Sequence, residues 1–200
     1  MKISILSSIV ALVLSAGAAP LDLSTGTLSL QLNIDLNQAG FGANKFNDLF
    51  HFTSTHFIHA VPELVVNGTT PTGGLPGASG LFNFGINSHA NMICYNITLH
   101  NFKGEFSSPA SSATHIHEAA SGASGPPRIS FPNPKRINDD PAVLNSAGCL
   151  TGPFVTGLVM EGKDTGEGFH ISQIEQNPSG FFADTHSSLA LPGAVRGQIA

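Results

Sequence analysis

Charge is what this chain has least of. Lys, Arg, Asp and Glu make up 10% of its 200 residues, and the formal net charge is −5. No basic cluster appears, and a mildly acidic chain does not track nucleic-acid backbones, which are held by Lys and Arg. Cysteine is as sparse. Cys94 and Cys149 are the only two, and neither stands in a C-x-x-C unit, which argues against a thiol redox enzyme. Past the N-terminus there is no apolar run of the ~20 residues that a spanning helix needs. The nucleophile elbow G-x-S-x-G, the P-loop, H-E-x-x-H and the dinucleotide fingerprint are all missing, so none of the chemistries they carry is signalled.

What is present suits a β protein. Gly at 22 and Pro at 13 are high, and hydrophobic residues at 41% suffice for a core. Such a composition belongs to many short strands and turns rather than to helical bundles. The length favours one domain, or one domain with an added arm. The first residues have the form of an address: Lys2, then a mainly apolar run from Ile3 to Leu14, then Ala16-Gly17-Ala18 as a small-x-small cleavage site. A signal peptide over 1–18 is expected. Its removal takes Lys2 as the one charge, so the net charge moves from −5 to −6.

Secretion changes how the cysteines are read. In an oxidising compartment a lone pair is most simply a disulfide, Cys94 to Cys149; two buried thiols are the other arrangement. Asn67-Gly68-Thr69 and Asn96-Ile97-Thr98 are glycosylation acceptors, whereas Asn177-Pro178-Ser179 is excluded by its proline.

Periodicity of two supplies the strands. Leu28, Leu30, Leu32, Ile34 and Leu36 alternate with polar residues, predicting a half-buried strand over 27–36. The segment 52–66, broken by Pro62, predicts an edge strand or a bend. Residues 80–86 and 91–102 predict a hairpin, with Ile93, Tyr95, Ile97 and Leu99 on one face and Cys94 and Asn96 on the other. Strands are also expected at 113–117, 128–131, 150–160, 180–187 and 194–199, the last two joined by a turn at Leu191-Pro192-Gly193. Residues 132–148 have the character of an irregular insertion, and 170–176 of a short helix with Phe169, Ile171 and Ile174 as its apolar side. Many short antiparallel strands predict a sandwich or barrel.

The chemistry centres on Thr114-His115-Ile116-His117-Glu118. Side chains alternate along a strand, so His115 and His117 share a face, a ready pair of metal ligands. His51, His56 and His59 form a second, weaker histidine group, whose helical spacing conflicts with the strand in which they sit.

With these residues in place, the chain resembles a known family. Ala60-Val61-Pro62-Glu63, Gly80-Leu81-Phe82, Thr114-His115-Ile116-His117, Gly125-Pro126, Asn177-Pro178, Phe181 to His186 and Pro192 to Ile199 stand in the order of the CHRD domain, over roughly residues 58–200. Thr114, Glu118 and Asp184 depart from the usual pattern without removing a histidine. The N-terminal strand and arm, 19–57, lie outside it. A more distant resemblance, to copper/zinc superoxide dismutases, rests on His115-Ile116-His117-Glu118 and Phe131-Pro132-Asn133-Pro134, with His186 as a later strand histidine and Arg196 as the late arginine.

These resemblances imply an all-β fold: an antiparallel sandwich or flattened barrel of Greek-key, superoxide-dismutase-like type, with one or two short helices. They also bring His186 to the pair, giving His115, His117 and His186 as ligands for copper or zinc. Glu118 and Asp184 are the carboxylates placed to orient those rings. Arg196 either steers an anion toward the metal or, as its five donors favour, ties a strand to a loop carboxylate. Three functions are then open. The first is a secreted, non-catalytic module that binds an unknown extracellular or cell-wall partner and holds one metal. The second is a copper redox enzyme, and the third a purely structural matrix protein.

Overall fold

The computed structural model describes residues 51–137 and 139–200. In chain order it contains β1 (Ser54–Ala60), a 3-10 turn (Pro62–Leu64), β2 (Val66–Asn67), β3 (Thr70–Pro71), β4 (Ser79–Asn87), β5 (Met92–His100), β6 (Thr114–Glu118), β7 (Pro127–Phe131), β8 (Lys135–Arg136), β9 (Val143–Thr151), β10 (Val159–Met160), β11 (Lys163–Asp164), helix α1 (Ser172–Gln176), a second 3-10 turn (Pro178–Gly180), β12 (Phe181–Ser187) and β13 (Ala190–Gln198). The expected leader at 1–18 and strand at 27–36 lie outside the described residues. The expected domain start at 58 falls inside β1.

Two antiparallel sheets carry the fold, in the orders β1-β4-β5-β9-β8 and β13-β12-β6-β7. The all-β, antiparallel sandwich expected from the alternation is the fold observed. Each sheet turns one face inward. Phe82, Phe84 and Ile86 of β4 and Ile93, Tyr95, Ile97 and Leu99 of β5 meet Ile116, Ile129, Phe131, Phe181 and Ala183 from the other sheet. Phe131 lies at the centre, 5.4 Å from the ring of Phe84 and 4.9 Å from that of Tyr95. The helical segment closes the core with Phe169, Ile171 and Ile174, all buried.

The two sheets are stitched at both edges. On one, Val61 and Arg196 exchange both backbone hydrogen bonds, at 2.9 and 3.1 Å, joining the end of β1 to β13. On the other, Pro132-Asn133-Pro134 carries the chain from β7 into β8 of the opposite sheet, and the Asn133 carboxamide oxygen accepts from the backbone N–H of Ala113 beside β6.

Cys94 and Cys149 are directly opposite in the β5–β9 register and are bonded as a disulfide. This corrects the reading of 132–148 as an irregular insertion, because Val143–Gly148 are the first six residues of the nine-residue β9. Their polar, glycine-containing sequence has little strand propensity. Pairing with the whole length of β5 overrides it, as tertiary context does for weak strands. The expected strand over 150–160 is likewise corrected. It ends at Thr151, before Gly152-Pro153. The chain then enters a loop organised by Asp164, whose carboxylate accepts the backbone N–H groups of Thr156, Gly157 and Gly166 at 2.8–3.0 Å. Finally, Leu191-Pro192-Gly193 is part of β13 rather than a turn. The chain reverses at Ser188-Leu189, and Pro192 is tolerated because β13 is an edge strand.

Removing Phe131 to Ala deletes the ring on which both sheets pack. A loss of about 3–5 kcal/mol is expected for a fully buried aromatic, checked by the shift of the chemical-denaturation midpoint at unchanged slope.

Candidate metal centre

The outer face of the four-stranded sheet is the unusual one. Residues of β6 and β12 that point away from the core would ordinarily be solvated. Here His115, His117, Phe182, Asp184 and Arg196 all point that way and are all buried, with His186 half-buried beside them. Loops roof this face, and the register places Asp184 opposite His115 and Phe182 opposite His117.

The three expected histidines converge, and a fourth group stands among them. One donor atom each from His115, His117, Asp184 and His186 lies within 4.8 Å of all the others, close to the span of two opposed ligand bonds of ~2.0–2.2 Å. The inward nitrogens are His115 Nδ1, His117 Nε2 and His186 Nε2, at 3.6, 3.3 and 3.1 Å from the Asp184 carboxylate.

The outward nitrogens fix the tautomers. His115 Nε2 faces the carbonyl of Ser112 at 2.7 Å, His117 Nδ1 that of Gly125 at 2.7 Å, and His186 Nδ1 that of Leu191 at 2.9 Å. A carbonyl only accepts, so each of these nitrogens carries a proton and donates it. A neutral ring then presents its lone pair inward. The other nitrogen of each ring faces the carboxylate: His186 Nε2 meets Asp184 Oδ2 at 3.1 Å, while His115 Nδ1, His117 Nε2 and Asp184 Oδ1 are buried with no hydrogen-bond partner. A cation at that point satisfies every one of them. The outward carbonyls are the supports that ligand imidazoles require.

The electrostatics of the metal-free chain show the same tension. For Asp184, burial pushes the carboxyl up, but the charges of His117 and His186 outweigh it and hold it well below its ordinary value. For His186, burial lowers the basicity, yet Asp184 overcomes this and raises it to about 9. His115, the most deeply placed, is pushed down by burial. A proton on His186 thus supplies positive charge beside the Asp184 carboxylate.

Two expectations about supporting residues need correction. Glu118 orients no histidine; it is exposed and paired with Arg128 at 2.7 Å. Arg196 ties its strand to a loop as expected, but through carbonyls rather than a carboxylate. Its guanidinium donates to Ala123 and Ala120 and lies 3.6 Å over the ring of Phe182. Arg196 therefore holds the loop whose Gly125 carbonyl positions His117. A side chain at Gly125 would start 1.9 Å from the Glu118 carbonyl oxygen, so only glycine lets the loop come this close. The second histidine group does not assemble. Strand alternation turns His56 inward, where its Nδ1 meets the Ala200 carbonyl at 3.2 Å, and leaves His59 exposed on the other face.

From the sequence, Asp184 is expected only as a support for the rings. The signal for a larger part is there: it stands two residues before His186 on a strand, and so shares its face. The carbonyls of Ser112, Gly125 and Leu191 carry no side-chain signature.

A pH titration tests this balance. His186 has a folded value raised above 6.5, so its pairing with Asp184 stabilises the metal-free protein fully below about pH 6.5 and is lost as pH rises through about 9. Thermal stability without metal should therefore fall over that window. Asp184→Asn should flatten the decline and return the His186 imidazole resonance to a lower midpoint.

Among known proteins, neither the curated sequences nor the solved structures gave a match. The CHRD domain model matches residues 61–199, which includes all four residues of the cluster and Arg196. With β6, β12 and β13 and their histidines inside that match, the chain belongs to the CHRD domain family.

Proposed function

We propose that this CHRD protein is a secreted, non-catalytic module of the extracellular space or cell wall, and that it holds one divalent ion, copper or zinc, through His115, His117 and His186 with Asp184. The observation that carries this reading is the set of buried, unpartnered inward atoms around one point. Three imidazoles with one carboxylate form a donor set suited to such ions. A purely structural role for the histidines accounts for the outward nitrogens alone. The inward ones hydrogen-bond to nothing except the His186–Asp184 pair.

The copper redox reading, of superoxide-dismutase-like type, asks Arg196 to steer the anion. Arg196 is buried, and its guanidinium is committed to the Ala120 and Ala123 carbonyls and the Phe182 ring. This favours the binding module. Secretion is supported by the leader-like residues 1–18, by the Cys94–Cys149 disulfide and by the exposure of both acceptor asparagines, Asn67 and Asn96. No described helix is long and apolar enough to cross a membrane. In this proposal 1–18 is removed, the N-terminal strand and arm of 19–57 lead into the domain, with residues 54–57 already part of β1, and the domain carries the binding surface for a cell-wall or extracellular partner.

Metal stoichiometry is the test. Protein recovered from the medium of a eukaryotic secreting host should bind one equivalent of copper(II) or zinc(II). His115→Ala should reduce that at least tenfold while the near-ultraviolet circular dichroism stays native. The copper-loaded protein should not consume superoxide faster than copper bound to a non-catalytic control protein. Absence of bound metal would overturn the metal reading, and turnover would overturn the non-catalytic one.

The glycan proposal has its own readout. Enzymatic removal of N-glycans should lower the mass of the secreted chain, and Asn67→Gln and Asn96→Gln should each remove one of two steps.

A further inference from the structure

A cleft of about 750 Å3 opens directly over the cluster. His115, His117 and His186 form its floor, and Pro109, Pro126, Pro127, Leu158, Met160 and Leu191 supply its apolar walls. No Lys, Arg, Asp or Glu lines it among the described residues. Asp184 does not reach it. The carboxylate lines a second, smaller cavity of about 190 Å3 together with His117, His186, Phe182 and Arg196. Of the two cavities, only the larger is lined by all three histidines and is free of Lys, Arg, Asp and Glu, so it is the open approach to an ion held by the cluster.

Size, wall chemistry and charge define the occupant. The volume falls within the ~300–1,000 Å3 of sites for small organic ligands, which are mostly apolar with a few polar groups that fix orientation. A divalent ion with one carboxylate and three neutral imidazoles keeps one net positive charge, and no side chain of the cleft offsets it. Resting on the metal reading above, we infer that this cleft binds an aliphatic monocarboxylate, its head on the metal and its chain along the proline, leucine and methionine wall.

The wall is built in advance of any ligand. Leu158 and Met160 belong to the loop that the Asp164 carboxylate gathers, and Leu158 receives a backbone hydrogen bond from Thr165. The Arg128 guanidinium donates to the Thr165 carbonyl at 2.6 Å and to Glu118 at 2.7 Å, fastening that loop to β6 and β7. Little ordering remains to be done on binding, which is what lets an apolar surface convert burial into affinity. Met160 and Leu191 are 52% and 65% exposed, large apolar side chains held at the mouth of a metal-floored cleft.

Cobalt(II) loading separates this inference from the one beneath it. The cobalt-loaded protein should show visible bands that shift on adding octanoate. Octanoate should bind at least about a hundredfold tighter than acetate, since each buried methylene is worth roughly fourfold, and octanol should compete weakly for lack of a charged head. Met160→Ser should weaken octanoate about tenfold, the low end for losing a buried large apolar side chain. The same variant should leave cobalt stoichiometry and acetate affinity unchanged. Cobalt bound with a spectrum indifferent to octanoate, or with octanoate no tighter than acetate, would overturn the carboxylate inference and leave the metal centre standing. Failure to bind cobalt, zinc or copper at all would overturn both.

Discussion

A carboxylate withdrawn from water on the wrong side of a β-sheet is the constraint on which the rest of this structure depends. Asp184 is buried on a sheet face that points away from the core. An isolated ion there is prohibitively costly unless it is paired. Three imidazoles surround it, and each is locked by a backbone carbonyl into the orientation that turns its other nitrogen toward the charge. The loops that provide those carbonyls must come down onto the sheet, and so the face becomes buried. Gly125 permits the approach for one loop, and Arg196 clamps the same loop from beneath. The centre and its roof are thus one mutually dependent arrangement.

The two sheets divide the work. The outer face of β4, β5 and β9 carries the Cys94–Cys149 disulfide and the acceptor Asn96, and faces solvent. The outer face of β6 and β12 carries the candidate ligand set, flanked by loops that leave a cleft over it. Between them the core is ordinary: alternating Ile, Phe and Leu from both sheets, centred on Phe131. The disulfide joins neighbouring strands rather than the two sheets, so it secures β9, whose Asn145 to Gly148 have little strand propensity, to β5. The pairing of the sheets relies instead on packing, on the Val61–Arg196 bridge and on the short passage through Pro132 to Pro134.

Much of this was legible in the residues. Alternation placed strands at 91–102 and 113–117, within a residue or two of those observed, and put His115 and His117 on one face, because a side chain's face is decided by counting along the chain. The convergence of His186 came from the order of motifs. What could not be read was set by partners distant in sequence. Val143 to Gly148 form a strand because β5 offers a full edge, which no local property reveals. The turn expected at Leu191 to Gly193 lies three residues earlier, because an edge position suspends the usual objection to proline. Arg196 proved to serve carbonyls rather than a carboxylate, since backbone acceptors leave no mark in composition. Asp184 was underestimated for a similar reason: a lone acidic residue in a strand is usually solvated, and only the roof above it changes that.

The location of the ligands has a kinetic meaning. All four sit on β6 and β12, the two interior strands of their sheet, hydrogen-bonded on both sides. The groups that orient the rings come from the loops and the strand end around them. Native-state opening begins in loops and spares central strands. For the ion proposed here, exchange would therefore begin around the strands rather than in them: release of Ser112, Gly125 or Leu191 would free a ring to swing while β6 and β12 stay paired. The residence time of such an ion would be set by how firmly those three peptide groups are held, and the strands would determine only where it returns.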